Sequence, residues 1–177
     1  MKPVSAQILL ECDLAGEART RLVARQIAAE ARPGDVLALW GDLGAGKTTF
    51  ARGFIGALAG DDEPVPSPTF TLVQTYQVTL GGEAAEIWHF DLYRLKQADE
   101  AYELGIEDAF AAGISLIEWP ERLGNLLPRD RLDVTLSLGS AADSRHLVLA
   151  GGANWTERVA RIRAVLLGGK AGGTGLT

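Results

Sequence analysis

One stretch, ALWGDLGAGKTTF from Ala38 to Phe50, restricts what this chain can fold into more than any other. An apolar run breaks into three glycines, then a lysine and two threonines. Gly41-Asp42-Leu43-Gly44-Ala45-Gly46-Lys47-Thr48 fits the pattern G-x-x-x-x-G-K-[ST], the phosphate-binding loop. Glycines let a backbone curl until successive N–H groups point inward at an anion. The helix that follows offers its positive N-terminal end to the same charge. Lys47 is then expected to reach the β- and γ-phosphates of a nucleotide, and the Thr48 hydroxyl to ligate Mg²⁺. Gly41 through Thr49 is the expected nucleotide-binding stretch, with Lys47 read as an exposed-loop residue that contributes little to the core.

The flanks suit the motif. DVLALW, Asp35 to Trp40, is a short apolar run bounded by turn residues, the pattern of a strand buried on both faces. KTTFARGFIGAL spaces Phe50, Phe54, Ile55 and Leu58 as one helical stripe. Upstream, GEARTRLVARQIAAEARPGD predicts a helix with Leu22, Val23 and Ile27 on its apolar face and arginines on a solvated one. GDDEPVPSPT reads as a polar, proline-rich loop. Phe70 to Val78 and Glu86 to Asp91 alternate around Gly81-Gly82, which predicts a β-hairpin.

QADEAYEL through EDAFAAG reads as one or two short helices, and ISLIEW, Ile114 to Trp119, as a second buried strand. LDVTLSL and RHLVLA predict another hairpin. The last helix carries Trp155, Val159, Ile162 and Leu166 on one face, with Asn154 and Glu157 at capping-box spacing. Strands mixed with helices argue a single α/β domain over residues 1–167. The glycine-rich tail, residues 168–177, has too little apolar surface to pack and is expected to be disordered.

Composition narrows the function. The formal net charge is −6, so tight direct binding to a phosphate backbone is disfavoured. Cys12 is the only cysteine, which excludes an internal disulfide and cysteine-cluster metal sites. The opening MKPVSAQILLECDL has too short an apolar core for a signal peptide. No apolar run approaches the ~20 residues of a membrane span, so the expectation is a soluble, cytoplasmic protein without membrane contact.

A site of this kind needs an acid at the end of another buried strand, to hold Mg²⁺ directly or through water. IWHFD ends in Asp91 and ISLIE in Glu118. The second run is the more uniformly apolar, while His89 interrupts the first; patterning favours Glu118 and leaves both open. His89 is read as a satisfied core histidine without chemistry.

Four blocks say more than the loop alone. GDLGAGKTTFARG, SPTFTLVQTY, HFDLYRL and LIEWPERL occur in this order and together resemble the bacterial TsaE (YjeE) family, the ATPase of tRNA threonylcarbamoyladenosine synthesis. The resemblance runs from about Asp13 to Arg145. It implies a P-loop NTPase domain with a central mixed β-sheet flanked by helices, ATP and Mg²⁺ as cofactors, and TsaB and TsaD as partners, with tRNA met only through their complex. It implies Thr48 and Glu118 as metal ligands, and Asp91 as the residue that positions or activates the attacking water. Thr69 would lie in a switch-like loop facing the γ-phosphate, and Trp119 in another. Thr20 and Arg145 match nucleotide-proximal positions. No second catalytic arginine stands out in these blocks, so turnover in isolation is expected to be weak.

Two other enzyme classes share the loop. A small-molecule kinase would also carry an arginine-bearing lid, and no such insertion is evident among Arg122, Arg129 and Arg131. A GTPase would need D-x-x-G and [NT]-K-x-D, and neither occurs. A nucleotide-binding assembly module that turns over only within a complex overlaps with the favoured reading.

Overall fold

A computed structural model describes residues 6–168. Its centre is a seven-stranded mixed sheet. The strands are β1 (Gln7–Ala15), β2 (Val36–Trp40), β3 (Val73–Leu80), β4 (Glu83–Asp91), β5 (Ile114–Glu118), β6 (Leu132–Leu138) and β7 (Ser144–Gly151), lying in the order β1-β7-β6-β2-β5-β4-β3. β4, β5, β2 and β6 run parallel, whereas β3, β7 and β1 are antiparallel to their neighbours. Strands buried on both faces are mostly apolar: β2 is apolar throughout, and β5 is buried at all five positions, with Ser115 and Glu118 as its polar residues.

The helices are α1 (Gly16–Ala29), α2 (Lys47–Ala59), α3 (Ile106–Ala112) and α4 (Ala153–Gly168). One core joins α1, α2 and α4 to Leu37, Leu39, Ile87, Ile114 and Leu116 of the sheet. A second core on the opposite face joins α3 and two 3-10 turns, Ala98–Leu104 and Pro120–Leu126, to Val36, Phe90 and Ile117. Side chains alternate across a strand, so His89 and Asp91 follow Ile87 onto the α1–α2 face, as Glu118 follows Leu116. At the other end of β2, Arg158 of α4 is buried and holds Asp35 through two hydrogen bonds, of 2.7 and 2.9 Å.

Several local expectations need correction. The buried stripe of α1 is Thr20, Val23, Ala24, Ile27 and Ala28, a 3.6-residue period that leaves Leu22 exposed. The first hairpin is displaced: β3 begins at Val73, because a turn closed by Leu72 N–H on the Pro68 carbonyl leaves Phe70 exposed. β4 begins at Glu83, since Gly81 and Gly82, both at positive φ, make the whole two-residue turn. Asn154 lies inside the first turn of α4, whose Trp155 N–H bonds the Gly152 carbonyl, so it is not the cap. β1 is a strand that patterning did not signal. Gly168 closes α4, and the remainder of the tail expected to be disordered falls outside the described residues.

Candidate functional site

The glycine-rich loop joins β2 to α2 at the C-terminal edge of the parallel strands, where open α/β sheets place their ligands. Gly46, at φ 107°, caps α2 in a left-handed conformation that any other residue would resist. A side chain at Gly41, φ 144°, would run into the Leu136 carbonyl. Lys47 is the first residue of α2 and is only 5% exposed, which corrects its reading as an exposed-loop lysine. Its ammonium donates to the carbonyls of Gly41 and Asp42 and lies 4.1 Å from the centre of the Trp119 ring. Burial lowers its pKa, against the pull of Glu118, Glu121, Asp91 and Asp42 in the other direction.

The next residue, Thr48, points its hydroxyl at Glu118, with Oγ1 3.1 Å from Oε1 and 3.0 Å from Oε2. Glu118 ends β5 and is 3% exposed; Asp91 ends β4, is 6% exposed, and pairs with Glu118 in register. The two candidate acids are therefore neighbours in one site. Burial raises the pKa of Asp91, the Glu118 charge adds to the rise, and the Tyr93 N–H on Oδ1, at 3.1 Å, opposes it. His89 is fully buried, with Nε2 2.8 Å from Glu118 Oε1. The expectation of a satisfied core histidine holds for that nitrogen alone, because Nδ1 is buried without a partner.

Lys47, Thr48, Asp91 and Glu118 border a cavity of about 480 Å³. Leu43, Gly44, Gly46, Lys47, Thr48 and Thr49 line it from the loop and α2, whereas Gly41, Asp42 and Ala45 do not. Thr69 also lines it, with Oγ1 2.8 Å from Ser67 Oγ and 3.5 Å from Asp91 Oδ2, the latter at the outer limit of a hydrogen bond. Thr20 of α1 reaches the wall although it is buried. Trp119 lines it in a left-handed conformation, φ 58°, packed on Tyr93 with ring centres 4.9 Å apart. Arg145 is present too, but its guanidinium serves the loop, donating to the carbonyls of Gly44, Ala45 and Ser144.

Sequence reasoning passed over other wall residues. Tyr93 and Arg94 lie two and three positions after Asp91 in HFDLYRL, and Arg94 lines the cavity with its guanidinium 4.7 Å above the exposed Phe70 ring. Arg94 is thus an arginine of these blocks that borders the cavity. Glu17 lies one helical turn before Thr20, a spacing that was available. Asp143 arrives from the β6–β7 turn, for which no local signal existed.

The donor set fits a magnesium nucleotide. Mg²⁺ prefers hard oxygen ligands, and takes one or two from protein with the rest from phosphates and water. A hydroxyl and a carboxylate in mutual contact at a cavity wall match that demand. No cluster of three or more His, Cys, Asp or Glu able to hold a metal by itself occurs among the described residues. A curled glycine loop opening onto a helix N-terminus fits the phosphates.

Fold and site together define an α/β protein with a seven-stranded mixed sheet and a glycine-rich loop aimed at two buried acids. The family model described as "Threonylcarbamoyl adenosine biosynthesis protein TsaE" matches residues 14–147, and the chain belongs to that family. A Rickettsia bellii relative, described as tRNA threonylcarbamoyladenosine biosynthesis protein TsaE, is 40% identical over 78% of this chain and 90% of its own length. A Bacillus subtilis relative of the same description is 42% identical, covering 66% of this chain and 70% of its own. The crystal structure of Bacillus subtilis YdiB superposes with a TM-score of 0.67 at 31% identity, over 88% of this chain and 93% of that one. No helix among the described residues is long and apolar enough to cross a membrane.

Proposed function

We propose that this chain binds and hydrolyses ATP with Mg²⁺, and that the cycle supports turnover of a TsaB–TsaD complex in the synthesis of threonylcarbamoyladenosine in tRNA. The observation that carries the reading is the convergence of Lys47, Thr48, Glu118 and Asp91 on one cavity wall. Family membership supports the place in tRNA modification.

The loop N–H groups and Lys47 would take the phosphate charge, which requires the ammonium to exchange its Gly41 and Asp42 carbonyls for phosphate oxygens. Thr48 and Glu118 would hold Mg²⁺, which when bound neutralises charge developing on the transferred phosphoryl group. Asp91, its pKa raised by burial, is a stronger base than an ordinary aspartate and would orient the attacking water or take its proton. Thr69, beside Asp91 on the proline-rich segment, would help place that water. Arg94 rests on Phe70 of the same segment, so contacts that order the segment would also settle Arg94. Weak turnover alone and faster turnover in the complex follow.

The alternative, a small-molecule kinase, draws no support from the β5–β6 connection, a short 3-10 turn over Pro120–Leu126 without an inserted lid. The test is ATP turnover with and without TsaB and TsaD, each with and without tRNA. Slow hydrolysis alone that rises with the partners is expected; fast hydrolysis indifferent to them contradicts the coupling.

A further inference from the structure

A buried ring lies one step beneath the acid assigned to the metal. His89 is fully buried, and it stands in register with Leu116, two positions before Glu118 on the neighbouring strand. From there its Nε2 reaches Glu118 Oε1 at 2.8 Å, a diagonal contact across the β4–β5 pair. A carboxylate can only accept, so Nε2 carries a hydrogen and donates it. Nδ1 has no partner and contributes nothing to the packing beyond shape. The ring thus has one directional interaction, and it is spent on Glu118.

Burying a histidine with an unpaired nitrogen is a poor solution for a core position that an apolar ring would fill without cost. The cost is offset only if the Nε2 contact matters. The ring is not part of the cavity wall, so it touches no ligand there and acts through Glu118 alone. The Glu118 carboxylate is held by Thr48 and by His89. Thr48 is itself assigned to the metal, which leaves His89 as the support independent of ligand.

Resting on the Mg·ATP reading, we propose that His89 is a positioning residue whose Nε2–H fixes the Glu118 carboxylate and so sets the Mg²⁺ affinity of the nucleotide site. Groups that hold a metal ligand from behind commonly change metal affinity by ~10-fold or more when removed.

The test measures ATP affinity across a Mg²⁺ titration, using a fluorescent ATP analogue, for His89→Phe, His89→Gln and Glu118→Ala. Phe keeps a ring and loses the donor; Gln keeps an N–H at similar reach and loses the ring. The expected result is a Mg²⁺ midpoint raised about tenfold in His89→Phe, and restored to within about threefold of wild type in His89→Gln. Equal shifts in both variants, or none in either, overturn the proposal while Glu118→Ala still shifts. An unshifted midpoint in Glu118→Ala overturns the metal role of Glu118, and the proposal with it. Should neither histidine variant fold, nitrogen NMR of the wild-type imidazole decides. A hydrogen on Nε2, with that resonance moving when Mg²⁺ joins the nucleotide, is expected; a hydrogen on Nδ1 alone overturns the proposal.

Discussion

The Thr48 hydroxyl and the Glu118 carboxylate, 70 residues apart in the chain, hold each other at 3.0 and 3.1 Å where α2 begins and β5 ends. The contact ties the start of α2 to the end of β5, at the point where the proposed metal would join them. Thr48→Val keeps the shape and removes the oxygen. ATP affinity at limiting Mg²⁺ is expected to fall about tenfold, the scale of a lost bond to a charged group, while Thr48→Ser stays near wild type. Calorimetric titration at two Mg²⁺ concentrations checks this; a Val variant with unchanged metal dependence contradicts it.

Asp91 carries a cost that the fold accepts. Its pKa is raised in the folded protein, so above that pKa the ionised form is less favourable folded than unfolded. The native state then binds more protons than the unfolded chain between the two pKa values, and stability falls as pH rises through that window. Asp91→Asn removes the charge. The variant should melt higher than wild type at neutral pH, and the gain should vanish below the ordinary carboxylate range. Melting curves over pH decide; a variant less stable at neutral pH contradicts the assignment of burial as the dominant cause.

Lys47 now supports a different prediction from the one its sequence position suggested. Lys47→Ala removes phosphate charge and also the two bonds that close the loop on the Gly41 and Asp42 carbonyls. ATP binding should be largely lost, and stability should fall by about 1–2 kcal/mol, because those carbonyls keep access to water only in part. Chemical denaturation with parallel binding measurements checks both. Retained affinity in a folded variant would remove the nucleotide reading.

What was legible in the sequence follows from how local each cause is. The glycine loop is read by spacing because its curl, its lysine and its threonine lie within eight residues. β2 is read by its unbroken apolar run, and β5 by an apolar run that only Ser115 interrupts before Glu118 ends it. β1 was not, because an edge strand is buried on neither face along much of its length and its register is interrupted between Ile8 and Leu10. The choice between Asp91 and Glu118 stayed open because neither run shows that β4 lies beside β5; the parallel pairing puts both acids in the site. His89 reads as core by composition, and only tertiary pairing brings it to Glu118, 29 residues away. Arg145 reaches the loop carbonyl of Ala45 across 100 residues, for which no local pattern exists.

The buried pair Asp35–Arg158 tests whether stability and site are separable. Arg158 is 1% exposed, stacks 3.5 Å from the centre of the Trp155 ring, and donates to Asp35 and to the Glu30 carbonyl. Removing one member of such a pair strands the other charge, so Asp35→Ala should cost about 3 kcal/mol or more. It lies at the start of β2, the opposite end from the loop, and lines no part of the cavity. ATP affinity of the folded variant should stay within about twofold of wild type. A large affinity loss without a stability loss would contradict this.

The last prediction separates the two acids. Glu118 touches Thr48, whereas Asp91 touches Thr69 and the Tyr93 N–H, so the first stands with the metal group and the second with the water-positioning group. A metal ligand and a base fail differently. Glu118→Ala should weaken Mg²⁺-dependent ATP binding, because the phosphate charge loses its fixed counter-ion. Asp91→Asn keeps an acceptor for the Tyr93 N–H but loses the basic oxygen. Turnover in the TsaB–TsaD mixture should fall about 100-fold or more while Mg·ATP affinity stays near normal, the mark of an interaction made mainly in the transition state. Turnover should also be lost toward acid, with a midpoint above the ordinary carboxylate value, since the raised pKa keeps Asp91 protonated there. If instead the Asp91 variant loses its metal dependence and the Glu118 variant retains it, the roles are reversed.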